Sequence, residues 1–117
     1  MKRSFRLTKS KDFERVRRQG TSYAHPLIVL LIDDNELGVI RVGIAAGKTV
    51  GGAVKRNRAK RLLRSVVSGY LTHIHPGYDI LLIAREALLR ADYQKIQTAF
   101  EELIKEASLY QEAVDAN

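Results

Sequence analysis

The segment from Val54 to Gly69 most constrains what this chain can fold into, because its two sides differ in chemistry. At about 100° per residue, a helix over this segment has one apolar face and one cationic face. The apolar face consists of Ala59, Leu62, Leu63, Val66, Val67 and Tyr70. The opposite face carries Asn57, Lys60, Arg61, Arg64 and Ser68, with Arg58 at its edge. The pattern therefore predicts a helix that packs on a core by one face and presents cations on the other.

The basic character of this helix is not neutralised nearby, since residues 37–78 contain eight Lys or Arg and no acidic residue. Residues 1–20 add eight basic residues and two acidic ones, whereas residues 79–117 hold four basic and eight acidic ones. The whole chain of 117 residues has a net charge of +7. Like charges on neighbouring turns destabilise a helix unless an anion relieves them. The pattern predicts a polyanion partner whose phosphates provide affinity and register rather than base recognition.

Two other interpretations of the basic helix are a solvated face without a ligand and a helix lying on an anionic membrane. The membrane interpretation is disfavoured because so small a domain needs the apolar face for its core. The longest wholly aliphatic run, Leu27 to Ile32, is far shorter than the roughly 20 residues of a membrane span. No apolar stretch follows the basic amino terminus and the chain has no cysteine, so we expect a cytoplasmic protein.

The rest of the chain predicts a single α+β domain over residues 1–117, with residues 111–117 as a candidate disordered tail. Ser10 is the expected N-cap of a first helix, Lys11 to Arg18, which Gly20 follows. Two strands, Leu27 to Ile32 and Val39 to Ala45, are expected to form an antiparallel hairpin around the turn at residues 33–36. The later elements are a glycine-rich loop at 47–52, a turn at Pro76-Gly77, a strand from Tyr78 to Ala84 and a helix that begins at Asp92.

No motif predicts a catalytic or metal site in the chain itself. Gly43 to Thr49 resembles a phosphate-binding loop but has three residues between its glycines instead of four, and Gly51-Gly52 would weaken a helix there. His73 and His75 lack the further ligands that a metal needs. The acidic residues at 33–36 are explained by a turn. We therefore predict no catalytic residue, no metal ligand and no nucleotide cofactor.

With these residues laid out, the chain strongly resembles the protein subunit of bacterial ribonuclease P. The match is centred on the pattern Gly51-x-Ala53-Val54-x-Arg56-Asn57-Arg58-x-Lys60-Arg61-x-x-Arg64. Supporting matches run in order along the chain: Arg6-Leu7 before Asp12-Phe13, Gly20-Thr21-Ser22, Arg41-Val42-Gly43-Ile44, Asp79-Ile80 and Ile83-Ala84-Arg85.

The resemblance implies an αβββαβα sandwich of the ribosomal-protein type, with a four-stranded sheet and a left-handed crossover helix, against the usual right-handed rule. It also implies a subunit that binds a catalytic RNA and the 5′ leader of precursor transfer RNA, and so promotes removal of the leader. The Mg²⁺ ions of the reaction would be held by the RNA subunit, with none bound strongly by the protein.

Two sets of site residues follow from the resemblance. The leader is expected in a cleft between the first helix and the sheet, at Arg6, Phe13 and Arg17, although Phe13 has packing of the first helix as an alternative role. Arg17 and Leu31 stand where many relatives have aromatic residues, which implies a more electrostatic hold on the leader. The surface for the catalytic RNA is expected to consist of Lys48, Arg56, Asn57, Arg58, Lys60, Arg61 and Arg64.

Two other classes of protein stay open at the level of the sequence. A ribosomal or ribosome-assembly protein could use the same basic helix to bind structured RNA without any leader-dependent cleavage. A nucleotide-hydrolysing enzyme could be built on the turn at Gly47-Lys48-Thr49, and a labelled nucleotide would bind to it.

Overall fold

Sequence patterns predict the three helices and three of the four strands of the described residues, whereas the first strand, Thr21–Ala24, is implied by the resemblance alone. The computed structural model describes residues 5–112, so most of the predicted tail, residues 113–117, lies outside the described residues. The helices are α1 (Ser10–Gln19), α2 (Ala53–Ser68) and α3 (Tyr93–Glu106). The strands are β1 (Thr21–Ala24), β2 (Ile28–Asp34), β3 (Arg41–Ala46) and β4 (Tyr78–Ala84), and short 3-10 turns lie at Leu71–His73 and Glu86–Arg90.

The four strands form one mixed sheet in the order β1-β2-β4-β3. Strand β2 pairs antiparallel with both β1 and β4, whereas β3 pairs parallel with β4. A parallel pair needs a crossover connection, and α2 lies in the connection from β3 to β4. The predicted α+β class, with the element order αβββαβα, is confirmed. The hand of the crossover stays a prediction from the resemblance.

The predicted hairpin between the second and third strands is wrong, because β4 lies between β2 and β3. Strand β4 has buried apolar residues on both faces, such as Leu81 and Leu82, and is therefore suited to the centre of the sheet. Strand β3 carries Arg41, Gly43 and two alanines. These residues bury less apolar surface than those of β4, and β3 lies at the edge of the sheet.

The sheet is covered on both faces, which produces two hydrophobic cores. Helices α2 and α3 pack on one face, where Leu63 and Phe100 meet strand residues such as Leu82. Helix α1 covers the other face, where Val16 packs with Leu7, Leu31 and Leu81. Residues alternate between these faces along each strand, so every second position of β2, β3 and β4 lies under α1.

The ends of two helices show which sequence signals the fold uses. Asp92 caps α3 as predicted, since its Oδ1 accepts a 2.9 Å hydrogen bond from the Lys95 amide. The expected Ser10 cap of α1 is wrong: Ser10 is the first helical residue, and Lys9 precedes it without a side-chain hydrogen bond to the helix. Gly20 follows the last residue of α1, and a larger residue would be crowded there because a Cβ would lie 2.4 Å from the Val16 carbonyl oxygen.

A buried ionic network joins α1 to one end of the sheet through Asp79, whose side chain is fully buried. Arg41 donates from Nε to Asp79 Oδ1 (2.8 Å) and from Nη2 to Oδ2 (2.7 Å). Asn35 adds a 3.0 Å hydrogen bond to Oδ1, and Arg15 of α1 donates to Oδ2. Asp33 lies directly opposite Asp79 on the neighbouring strand. Arg15 bridges these two carboxylates and so removes their cross-strand repulsion.

The network also sets the protonation of its members. Burial alone would raise the pKa of Asp79, but hydrogen bonds from Arg41, Asn35 and Arg15 outweigh this effect, and the pKa lies below its ordinary value of 3.8. The hydrogen bonds to Asp79 raise the pKa of Arg41 more than its burial lowers it. Asp79 and Arg41 therefore both stay ionised in the folded protein at neutral pH.

Replacing Asp79 by Asn is expected to lower the free energy of unfolding by about 3 kcal/mol, because two arginines lose their buried counter-ion. Urea unfolding at pH 7 measures this change. Asp34→Asn is the matched control, since Asp34 is exposed and its carboxylate accepts a hydrogen bond from the Glu36 amide. This substitution should change the free energy of unfolding by less than about 0.5 kcal/mol. Equal effects of the two substitutions would contradict the role assigned to Asp79.

The stabilisation by Asp79 is also expected to disappear in acid. Because the folded-state pKa is depressed, the unfolded chain takes up the proton first as the pH falls. The stabilisation is complete above about pH 5 and is lost as the pH falls through 3.8 towards the folded-state pKa. The difference in unfolding free energy between wild type and Asp79→Asn should therefore narrow between pH 7 and pH 3. A constant difference would show that Asp79 titrates alike in both states.

Candidate nucleic-acid interface

Helix α2 has the two faces that its sequence predicts. Ala59, Leu63, Val66 and Val67 are buried against the sheet and α3. The polar side divides further according to exposure. Asn57, Arg58 and Arg61 are exposed, whereas Arg56, Lys60 and Arg64 are half-buried along one i, i+4 row. The half-buried cations therefore lie along one flank of the helix. The exposed residues Asn57, Arg58 and Arg61 form its outer side, which we call the crest of α2.

A groove lies between α1, the edge strand β3 and this row of α2. It consists of two adjoining hollows of about 430 and 210 Å³ that share Thr8, Phe13 and Ile44. Arg17 and Lys60 line the larger hollow, and Arg6 and Arg64 line the smaller one. We call this surface the Phe13 groove; its lining residues are Arg6, Leu7, Thr8, Ser10, Phe13, Glu14, Arg17, Val42, Ile44, Ala45, Ala46, Lys60 and Arg64.

Arg6 reaches the groove because the chain before α1 lies along the outer edge of β3. The Leu7 amide donates a 2.8 Å hydrogen bond to the Val42 carbonyl oxygen, and Arg6 forms a parallel bridge with Val42. Leu7 is buried beneath α1, whereas Arg6 is exposed. The edge of β3 beyond this contact, from Ile44 to Ala46, forms part of the groove.

Phe13 is held in the groove by contact with a glycine on β3. A Cβ at Gly43 would lie 2.8 Å from Phe13 Cζ and 3.3 Å from Leu7 Cβ, so the ring rests on the bare backbone. Phe13 remains half-buried and packs beside the core beneath α1. It is the one aromatic side chain among the groove residues named above. The two roles considered for Phe13, packing α1 and offering a ring surface, are therefore compatible.

The charge of the Phe13 groove is strongly unbalanced. Four cations line it, from the segment before α1, from α1 and from α2, against one carboxylate, Glu14. Within the described part of the chain, none of these four cations lies within 4.0 Å of a carboxylate. In the network around Asp79, by contrast, both Arg15 and Arg41 pair with carboxylates. A surface of this kind is suited to bind an anionic chain.

The structure brings together Arg6, Phe13 and Arg17, the residues predicted to form one cleft. It adds Lys60 and Arg64, which the sequence assigned to the other RNA surface together with exposed Asn57, Arg58 and Arg61. Arg56 is half-buried, and its Nε has no hydrogen-bond partner among residues 5–112. Lys48 is exposed in the loop before α2. The assignment of all these residues to RNA stays a prediction.

Other residues highlighted by the sequence have structural roles. Leu31 is buried beneath α1 and does not line the Phe13 groove. The loop at Gly47 to Gly51 closes two tight turns, with Val50 N bonded to Gly47 O and Gly51 N to Lys48 O, and α2 begins only at Ala53. His73 stacks on Tyr110 with ring centroids 5.5 Å apart. Sequence reasoning missed Gly43 and Asp79, whose only signal was their presence in the matched motifs.

Fold and surface together define a small α+β protein with a mixed sheet, a basic crossover helix and a cationic groove beside it. The model of the family described as Ribonuclease P matches residues 1–108. The chain belongs to this family, and is thus a subunit of an endoribonuclease holoenzyme in which catalysis resides in the RNA. Membership favours this assignment over a ribosomal protein or a nucleotide-hydrolysing enzyme.

Named relatives and solved structures agree with the family. The chain is 44% identical to the ribonuclease P protein component of Natranaerobius thermophilus over 92% of this chain and 94% of that protein. It is 38% identical to the one from Herpetosiphon aurantiacus, over 94% and 89% respectively. The Staphylococcus aureus RNase P protein superposes with a TM-score of 0.82 at 32% identity, covering 92% of this chain and 98% of that one. The Thermotoga maritima RNase P protein gives 0.78 at 28%, covering 86% and 96%.

No grouping of three or more His, Cys, Asp or Glu among residues 5–112 could hold a metal ion. In the same part of the chain, no helix has the length and apolar character needed to cross a membrane.

Gly43→Ala is expected to lower the free energy of unfolding by about 1–3 kcal/mol, because the Phe13 ring and Leu7 must move away from the new methyl group. Urea unfolding measures the change. Gly47→Ala is the matched control: a Cβ there meets nothing within 4 Å, and the substitution should be nearly neutral. In a Phe13→Ala background, Gly43→Ala should cost at least about 1 kcal/mol less. Additive effects would show that the ring does not rest on Gly43.

Proposed function

We propose that this chain binds the catalytic RNA of ribonuclease P and the 5′ leader of precursor transfer RNA, and thereby promotes Mg²⁺-dependent removal of the leader. The observation that carries the proposal is the Phe13 groove beside the exposed cations of α2. None of the four cations of the groove is paired with a carboxylate of residues 5–112. A cytoplasmic location is part of the same proposal.

The leader fits the Phe13 groove because a single strand exposes both its phosphates and its bases. Arg6 and Arg17 lie on the α1 side and Lys60 and Arg64 on the α2 side, so the phosphates of one strand meet cations on both walls. Phe13 offers one ring on which a base can stack. With a single aromatic residue and four cations, the groove favours a mainly electrostatic hold with little sequence preference.

The catalytic RNA is assigned to the crest of α2, where Asn57, Arg58 and Arg61 are exposed. Mg²⁺ does not fit this surface, because its cationic side chains repel a divalent ion and supply no carboxylate ligands. In this proposal the RNA subunit holds the Mg²⁺ ions of the reaction. By neutralising phosphates where two RNAs meet, the protein would lower the Mg²⁺ concentration that the reaction needs.

Cleavage of a precursor transfer RNA by a bacterial ribonuclease P RNA, at limiting Mg²⁺ and with or without this protein, tests the proposal. We expect the protein to restore cleavage at the correct 5′ position. A precursor with a one-nucleotide leader is the control, since it cannot fill the groove and should gain less. Tight RNA binding without restored cleavage would overturn the proposal.

Arg61→Ala is expected to weaken binding of the catalytic RNA by about 1–3 kcal/mol, because an exposed cation that meets phosphate is lost. Arg58→Ala should behave alike. Filter binding over a salt series measures the change. For the wild type, the logarithm of affinity should fall against the logarithm of salt with a slope of about −4 to −7. Variants that unfold instead of losing RNA affinity, as shown by circular dichroism, would contradict the assignment.

A further inference from the structure

A second cationic groove lies on the flank of α2 opposite the Phe13 groove. It is about 510 Å³ in volume and is bounded by the loop before α2, the first turns of α2 and the 3-10 turn after β4. We call it the Arg90 groove; its lining residues are Thr49, Val50, Gly51, Lys55, Arg58, Glu86, Leu89 and Arg90. Neither Lys55 nor Arg90 belongs to the RNA surfaces assigned above.

The charge of the Arg90 groove comes from two separate elements. Lys55 and Arg58 extend from α2, and Arg90 extends from the 3-10 turn across the groove. Glu86 is the one carboxylate of the lining, yet within residues 5–112 no ion pair of 4.0 Å or less involves it or any of the three cations. The groove therefore keeps a positive excess that the described chain does not neutralise.

Lys55 is held at this groove by the backbone of Gly51. Gly51 has a φ of +139°, which side chains rarely allow. A Cβ at Gly51 would lie 2.6 Å from Lys55 Cδ and 3.1 Å from Lys55 Cβ, so the aliphatic stem of Lys55 lies across the bare glycine. This contact restricts the stem and lowers the entropy that the side chain loses when its ammonium group binds an anion.

The lining distinguishes the Arg90 groove from the Phe13 groove in the kind of RNA that it suits. It contains cations and the aliphatic residues Val50 and Leu89, but no aromatic side chain on which an unpaired base could stack. Duplex RNA presents its phosphates outward and keeps its bases stacked inside, so it is recognised through backbone contacts. A groove with cations on two walls and no stacking surface matches a duplex backbone better than a single strand.

We propose that the Arg90 groove binds the phosphate backbone of a double-stranded segment of the catalytic RNA, through Lys55, Arg58 and Arg90. Helix α2 then separates two RNAs, with the single-stranded leader on its Phe13 flank and a duplex on its Arg90 flank. This inference rests on the proposed function, because it takes the catalytic RNA as the partner of α2.

The test measures binding of Lys55→Gln and Arg90→Gln proteins to a bacterial ribonuclease P RNA over a salt series. Each substitution should lower affinity about tenfold at low salt and make the slope of log affinity against log salt shallower by about 0.9. Lys105→Gln is the matched control: it removes the same charge from α3, where Lys105 pairs with Glu101. Thermal unfolding verifies that all three variants fold.

A second measurement separates the two grooves. In complexes assembled at saturating protein, the ratio of affinities for precursors with and without a leader should remain at the wild-type value in Lys55→Gln and Arg90→Gln. A wild-type salt slope in both variants, or an effect equal to that of Lys105→Gln, would overturn the inference. A changed leader ratio would assign the groove to the single strand instead. If the wild-type protein itself fails to bind the RNA, the proposed function fails rather than the groove assignment.

Discussion

The buried carboxylate of Asp79 is the interaction on which the arrangement of this molecule depends. It collects hydrogen bonds from α1, from the loop after β2 and from β3, and it lies on β4 itself. Because Arg15 and Phe13 belong to the same short helix, fixing Arg15 at the end of the sheet also fixes where Phe13 meets β3. The shape of the Phe13 groove therefore depends on an ion network located on the other side of α1.

The arginines of the molecule fall into two groups that differ in pairing and burial. The arginines near Asp79 are paired, half-buried and structural, whereas those of the Phe13 groove and of α2 lie apart from the described carboxylates. Both sets include residues of α1, two positions apart in the case of Arg15 and Arg17. The separation follows from helical geometry, since such neighbours point in directions about 200° apart. A single ten-residue helix thus contributes to the buried network and to the cationic groove together.

Local patterns in the sequence were sufficient for α2, β4 and α3, because each carries strong apolar periodicity and clear end signals. They failed for the pairing of β2 with β3, since strand order depends on which strands compete for the buried centre. The resemblance supplied the element order, the crossover helix between two parallel strands and the cleft. No local signal could relate Asp79 to Arg15, 64 residues away, or place Phe13 on Gly43. The sequence predicts Lys60 and Arg64 only in the surface for the catalytic RNA, because a helical wheel cannot show that the edge of β3 lies beside them.

Beyond the backbone contact of Leu7, part of the edge strand β3 has no neighbouring strand among residues 5–112. An exposed strand edge invites pairing with the edge of another molecule, and proteins commonly guard such edges with charge. The charged residues beside this edge are Arg6, Arg17, Lys60 and Arg64, and their positive charges repel a second copy of the same groove. The cations that we propose to hold an RNA strand would therefore also disfavour edge-to-edge pairing of two copies of this chain, and a strand bound in the groove would cover the same edge.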